Sequence, residues 1–241
     1  MKILEIEHFS KSYDSDKKAV NDISLTVNSG EIYGFIGHNG AGKSTTIKAV
    51  VGILSVREGD VRVCGKSVRE SLNECQQMTG YLPDNPDIYE FMTGIEYINF
   101  VCDVFSVSGE DRTERVQKYA DAFEITPHLG DLISSYSHGM KQKVALIAAF
   151  AHKPKLLVLD EPFVGLDPMA AATLKKCMRE LCDEGSAIFF STHVLDVAEK
   201  LCDKIGMIDH GNLVLNGTVD ELTGNSSLED AFLKKLGVSN E

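Results

Sequence analysis

The sequence predicts an α/β fold with a helical insertion. Strand and helix signals alternate along most of the chain. One strand, EIYGFI, runs straight into the glycine-rich loop GHNGAGKS and then into a helical pattern. Between Pro83 and about Ser135 the strand signal disappears and the texture becomes helical.

The opening segment MKILEIEHF alternates apolar and charged residues, so Lys2 to Phe9 reads as a half-buried strand. Ile23 to Val27 reads as a second strand. The turn Asn28-Ser29-Gly30 separates it from a third, Glu31 to Ile36. A helix follows from Lys43 to about Val51. Asp60 to Cys64 is a short strand ended by Gly65, and Met78 to Leu82 is another. Within the insertion, Thr93 to Phe105 reads as helix, with Thr93 and Glu96 spaced as a capping box. Glu110 to Phe123 places Val116, Tyr119, Ala120 and Phe123 on one helical face, and a short helical piece spans Leu129 to Ile133. The α/β alternation then resumes with helix Gly139 to His152, strand Lys155 to Leu159, helix Met169 to Glu184 closed by Gly185, and strand Ala187 to Ser191. Helix Val194 to Cys202, strand Lys204 to Asp209, the turn His210-Gly211 and strand Leu213 to Leu215 come next. A terminal helix, Leu228 to Leu236, completes the pattern. The beginning is strand-rich, which predicts an antiparallel β part ahead of the core.

At 241 residues, with 43% hydrophobic and 25% charged content, the chain is sized for one globular domain carrying a subdomain. A formal net charge of −12 argues against a nucleic-acid binder held by phosphate contacts. The longest apolar stretch, Val144 to Ala151, is far shorter than the roughly 20 residues that span a bilayer. The start lacks the apolar core of a signal peptide. A cytoplasmic protein is expected, reaching a membrane only through other chains. The six cysteines include no CxxC pair and no Cys/His cluster, which argues against a zinc site and for reduced thiols acting as small apolar residues.

The loop from Gly37 to Ser44 has a mechanism. Gly37, His38, Asn39, Gly40, Ala41 and Gly42 bring backbone N–H groups around phosphate oxygens, Lys43 reaches the outer phosphates, and Ser44, followed by Thr45, places a hydroxyl for Mg²⁺. The run LLVLDEP ends an apolar strand in Asp160, a carboxylate leaving the sheet near the loop and able to hold Mg²⁺. Glu161 follows directly, where it can orient and deprotonate a water. YSHGMKQ, Tyr136 to Gln142, is a second turn shaped for an anion at a helix start, which one nucleotide site does not require.

Taken in order, GHNGAGKST, YSHGMKQ, LLVLDEP, VGLDP and STH resemble the ATP-binding subunits of ABC transporters, especially those that drive exporters of drugs, peptides and lipids. The resemblance covers about Met1 to Gly217. It implies one domain over 1–241: a P-loop NTPase core of RecA-like form with an antiparallel β subdomain, an inserted helical subdomain at about 84–136, and a short helical tail at about 218–241. It implies an ATPase that uses ATP and Mg²⁺, pairs with a second ATP-binding subunit as homodimer or heterodimer, and sits at the inner face of the cell membrane through integral membrane subunits. Ser137 and Gly139 would then contact ATP held by the neighbour's loop, which accounts for the second turn. Tyr13 would stack on adenine, with Phe9 read as core. Asp167 would communicate across the dimer, and His193 would bond the γ-phosphate. Two positions depart from the pattern. His138 and Met140 replace a glycine and a glutamine in the signature turn, and His138 faces either the nucleotide or else solvent or the interface. Asp84 stands where the family places a glutamine, as a metal ligand or as a cap on the turn at Asn85-Pro86.

Overall fold

The strand signals assemble into two sheets. The computed structural model describes residues 1–13, 18–224 and 226–235. β1 (Lys2–Ser12), β2 (Lys18–Asn28), β4 (Glu58–Val63) and β5 (Lys66–Ser67) form an antiparallel sheet in the order β2-β1-β4-β5. The apolar residues of the first strand, Ile3, Leu4, Ile6 and Phe9, are buried. β1 and β2 both run further than their alternation predicts. The register shifts after Ile6, and His8 and Asp22 lie at φ 51° and 49°. Such bulges reset which residues face inward, so the continuation is lost to a pattern reading.

The second sheet has the order β10-β9-β3-β8-β7-β6. Its strands are β3 (Ile32–Ile36), β6 (Thr79–Leu82), β7 (Leu156–Leu159), β8 (Ala187–Thr192), β9 (Lys204–Asp209) and β10 (Asn212–Thr218). All pairings are parallel except β9 with β10. Every residue of β3, β7 and β8 is buried, as a sheet covered on both faces requires. One face packs with α1 (Lys43–Val50) and the first sheet around Phe9, Phe35, Ile47 and Phe189. The other packs under α5 (His138–Ala151), α6 (Pro168–Asp183) and α7 (Leu195–Leu201).

The insertion contributes α3 (Gly94–Val104) and α4 (Gly109–Ala122), which pack on α5. Thr93 and Glu96 form the expected capping box. The helical piece expected at Leu129 to Ile133 is absent. In its place are two 3₁₀ turns, Thr126–His128 just before it and Ile133–Ser135 starting at its last residue. Between them the Leu129 and Asp131 carbonyls accept the Ile95 and Gly94 amides at 2.8 and 3.3 Å, satisfying the start of α3 rather than a helix of their own. Three short elements had no clear signal: β5, α2 (Leu72–Gln77) and α8 (Val219–Thr223). The last helix, α9 (Leu228–Lys235), matches its expected start, and Leu236 lies outside the described residues. Leu228 is buried and donates its amide to Glu199 of α7 at 2.9 Å.

Strand register places the site. Ile36 pairs with Thr192, Leu159 with Phe190, and Leu82 with Leu159. The next residues, Gly37, His193, Asp160 and Pro83, therefore leave the sheet together at its carboxyl edge, with Ser191 near the end of β8 beside them; open α/β sheets bind ligands at that edge.

Candidate active site

β3 ends at Ile36 and the loop turns at once. A Cβ on Gly37 would stand 2.4 Å from the Ile208 carbonyl oxygen, so only glycine lets the loop pass β9. Gly42, at φ 117°, caps α1 in a conformation that side chains rarely adopt. Lys43 is buried, with Nζ donating to the Gly37 carbonyl at 2.7 Å and lying 3.4 Å from Glu161 Oε1.

A cavity of about 210 Å³ opens above the loop, lined by His38, Asn39, Gly40, Gly42, Lys43, Ser44, Thr45, Asp84, Asp160 and Glu161, with Ala19 at its edge. Asp160 is 4% exposed and its Oδ1 accepts from Ser191 Oγ at 2.5 Å. The same hydroxyl accepts the Glu161 amide at 3.0 Å, so Ser191 fixes both acidic residues. Glu161 Oε2 is 3.0 Å from His193 Nδ1. Glu161 Oε1 is buried without an aligned hydrogen bond; Lys43 meets it as an ion pair only. Burial, then the carboxylates of Asp160 and Asp84, pushes the Tyr81 hydroxyl up to about 12. Ser44, Asp84 and Asp160 offer oxygen donors only, the set a hard cation such as Mg²⁺ takes.

Most predicted residues converge on this cavity. Tyr13 is 62% exposed beside it, its hydroxyl 3.3 Å from Thr45 Oγ1, while Phe9 is fully buried. His193 lines an adjoining cavity with Gly37, His38, Asn39 and Phe232. Others lie elsewhere. Ser137 caps α5, accepting the Met140 amide at 3.3 Å, and Gly139 packs against the Gly165 carbonyl. His138 and Lys141 line a separate cavity with Asn85 to Ile88. Asp167 caps α6; the Ala170 amide at 2.8 Å, and then Lys143, holds its carboxyl below the usual range. Ser191 is the working residue that sequence reading passed over: it looked like strand. Gln142 is another, buried and donating to the Pro162 carbonyl at 2.8 Å, which ties α5 to the loop after Glu161. The six cysteines are free, five of them buried, and burial pushes the Cys177 and Cys182 thiols up to about 11 and about 12.

A parallel sheet with a phosphate loop, a buried aspartate and a following glutamate at one edge defines a nucleotide-hydrolysing cassette. The ABC transporter family model matches residues 20–164, and the chain belongs to that family. It is 35% identical over 239 residues to the uncharacterized ABC transporter ATP-binding protein YthP of Bacillus subtilis (strain 168), with 97% of each chain covered. It is 32% identical over 236 residues to the ABC-type transporter ATP-binding protein EcsA of the same organism, covering 98% of this chain and 95% of that one. A solved ATP-binding subunit of an ABC transporter superposes with a TM-score of 0.93 at 31% identity, covering 97% of this chain and 99% of the other. The chain is accordingly a transport ATPase subunit that binds ATP. No described helix is long and apolar enough to cross a membrane.

Proposed function

We propose that this chain dimerises on binding ATP and, by hydrolysing it, powers export through separate membrane subunits. One observation carries the reading. The signature turn Ser137–Gly139 lies outside the phosphate cavity of its own chain, although it starts a helix of 14 residues suited to an anion. A second subunit gives that turn a phosphate to meet.

Within one site, Lys43 and the loop amides bind the phosphates, and Tyr13 stacks on the base. Ser44, Asp160 and Asp84 would hold Mg²⁺, which when bound would neutralise charge on the outer phosphates. Glu161 takes the proton of the attacking water at its unbonded Oε1, while Oε2 stays with His193. His193 bonds the γ-phosphate, and Asp167 communicates across the dimer. The insertion at 84–136 faces the membrane partner. A groove of about 470 Å³ lies where the insertion meets the core, lined by Tyr97, Val101, Val104 and Phe105 of the insertion and by Ile53 and His152 of the core. Ile53 and Val104 in its lining are exposed apolar side chains, suited to a protein contact. From the tail, Phe232 of α9 lines the cavity beside His193.

Glu161→Gln keeps the size of the side chain and removes the base. Hydrolysis should fall by at least ~10²-fold with ATP binding retained. The variant should sediment as a dimer with ATP and as a monomer without it. Near-normal turnover, or a monomer at saturating ATP, overturns the proposal.

A further inference from the structure

At the head of the phosphate loop the His38 side chain meets two residues at the end of β9, in a cluster to which the hydrolytic roles above assign no side chain. Parallel pairing sets Ile36 opposite Met207, so two residues on, His38 and Asp209 leave the sheet side by side. His210 follows in the turn to β10. His38 Nε2 is 3.0 Å from Asp209 Oδ1, and His210 Nε2 is 3.9 Å from the same oxygen. The ligand atoms of all three lie within 4.8 Å of one another.

His38 has two acceptors and, as a neutral ring, one proton to give. Its Nδ1 is 2.7 Å from the Asn39 carbonyl oxygen, and its Nε2 faces the Asp209 carboxylate. A neutral imidazole donates from one nitrogen only. A second positive centre, either a proton or a metal cation, must therefore stand between Nε2 and the carboxylate. His210 favours the metal. A proton serves one imidazole and one carboxylate and leaves the second imidazole without a part. A divalent cation uses all three groups together. An Nδ1–H given to a backbone carbonyl is also the outer hydrogen bond that metal-ligating histidines make.

We propose that His38, Asp209 and His210 bind a divalent transition-metal cation, with zinc the best match. Zinc takes imidazole nitrogen at ~2.0–2.1 Å and carboxylate oxygen at ~2.0–2.2 Å, which sets tetrahedral ligands about 3.3 Å apart. The observed separations bracket that value. The side chains of His38 and His210 are 48% and 73% exposed, so the site loads from solution and leaves a coordination position to water. Two imidazoles select it against Mg²⁺, which prefers the all-oxygen set of Ser44, Asp84 and Asp160. The His38 carbonyl accepts the Ala41 amide at 3.1 Å and Lys43 Nζ at 3.4 Å. Zinc on the His38 ring therefore clamps the phosphate loop to the β9–β10 turn. Cysteine spacing argued against zinc, but His38 lies 171 residues before Asp209, and only the strand register brings it to the Asp209-His210 pair.

The test is zinc binding to the full chain without nucleotide, by calorimetry in excess Mg²⁺ so that hard-cation sites are filled. The wild type should bind one zinc that His38→Ala and His210→Ala each weaken by at least ~10-fold. Circular dichroism checks that the variants fold, and the milder Asp209→Asn serves if an alanine variant does not. Zinc-soaked crystals should show anomalous density bonded to both Nε2 atoms. Equal binding by wild type and variants, or density on cysteines instead, overturns the proposal.

Discussion

Glu161 lies at φ 48°, in the left-handed region that a side chain other than Gly, Asn or Asp seldom occupies. Three neighbours hold it there: Ser191 on its amide, Lys43 near Oε1 and His193 on Oε2. An outlier so constrained, beside a phosphate loop, fits a residue kept in a working geometry. The linear motifs made Lys43, Asp160, Glu161 and His193 legible, because each motif marks one strand end. Ser191 was not legible as a partner, since its role comes from the pairing of Leu159 with Phe190. Asp84 is a sharper case. An ionised aspartate only accepts, and cannot supply the donor that a glutamine in its place would have. It lines the cavity with Ser44 and Asp160, which favours the metal role over capping of the Asn85-Pro86 turn. ATPase rate against Mg²⁺ concentration should therefore shift to a higher requirement in Asp84→Asn and Asp84→Ala, on the order of 10-fold for alanine. With the membrane partner present, stimulation should weaken in both. Superimposable Mg²⁺ curves would leave Asp84 as a turn residue.

At the scale of elements, the C-terminal ends of α3 and α5 meet through one ring pair. Phe105 and His152 stack with centroids 3.8 Å apart and planes 7° apart. Burial, and then Arg115, lowers the His152 pKa from 6.5 to about 4. The folded state holds this imidazole neutral, whereas the unfolded chain takes up a proton below pH 6.5. Between those values the unfolded state binds more protons, so stability falls as pH falls, and the loss levels off below about 4. The full loss is about 3 kcal/mol. Urea midpoints at pH 7 and pH 5 should converge in His152→Phe, which keeps the stack and removes the proton; an unchanged difference refutes the assignment. The helices that meet here were legible from their caps and periodic apolar faces. What the sequence hid was short or bulged. β5 has two residues and α2 has six, too few to show a period. The 129–133 segment is governed by bonds to α3, which no local pattern encodes.

The whole molecule carries one phosphate loop and one signature turn, and they face different surfaces. Two chains arranged head to tail would complete two sites, each with the loop of one chain and Ser137 and Gly139 of the other. This arrangement makes a prediction that a self-sufficient chain does not. Gly139→Asp puts a charge where the neighbour's phosphate must approach, and the Cβ it adds would lie 3.1 Å from the Gly165 carbonyl oxygen. Alone, this variant should lose hydrolysis but bind ATP as a monomer, because its own loop is intact. Lys43→Ala should lose hydrolysis through its own loop. Mixed one to one, random pairing makes half of the dimers heterodimers. Each heterodimer has one site bearing both defects and one bearing neither, so about a quarter of the wild-type sites are restored. ATPase activity should reappear on mixing, approach that fraction, and grow with protein concentration as pairing does. Mixtures as inactive as the separate variants would mean that both sites must be intact for either to turn over. Loss of ATP binding by the Gly139→Asp monomer would place the signature in its own chain's site and end the head-to-tail account.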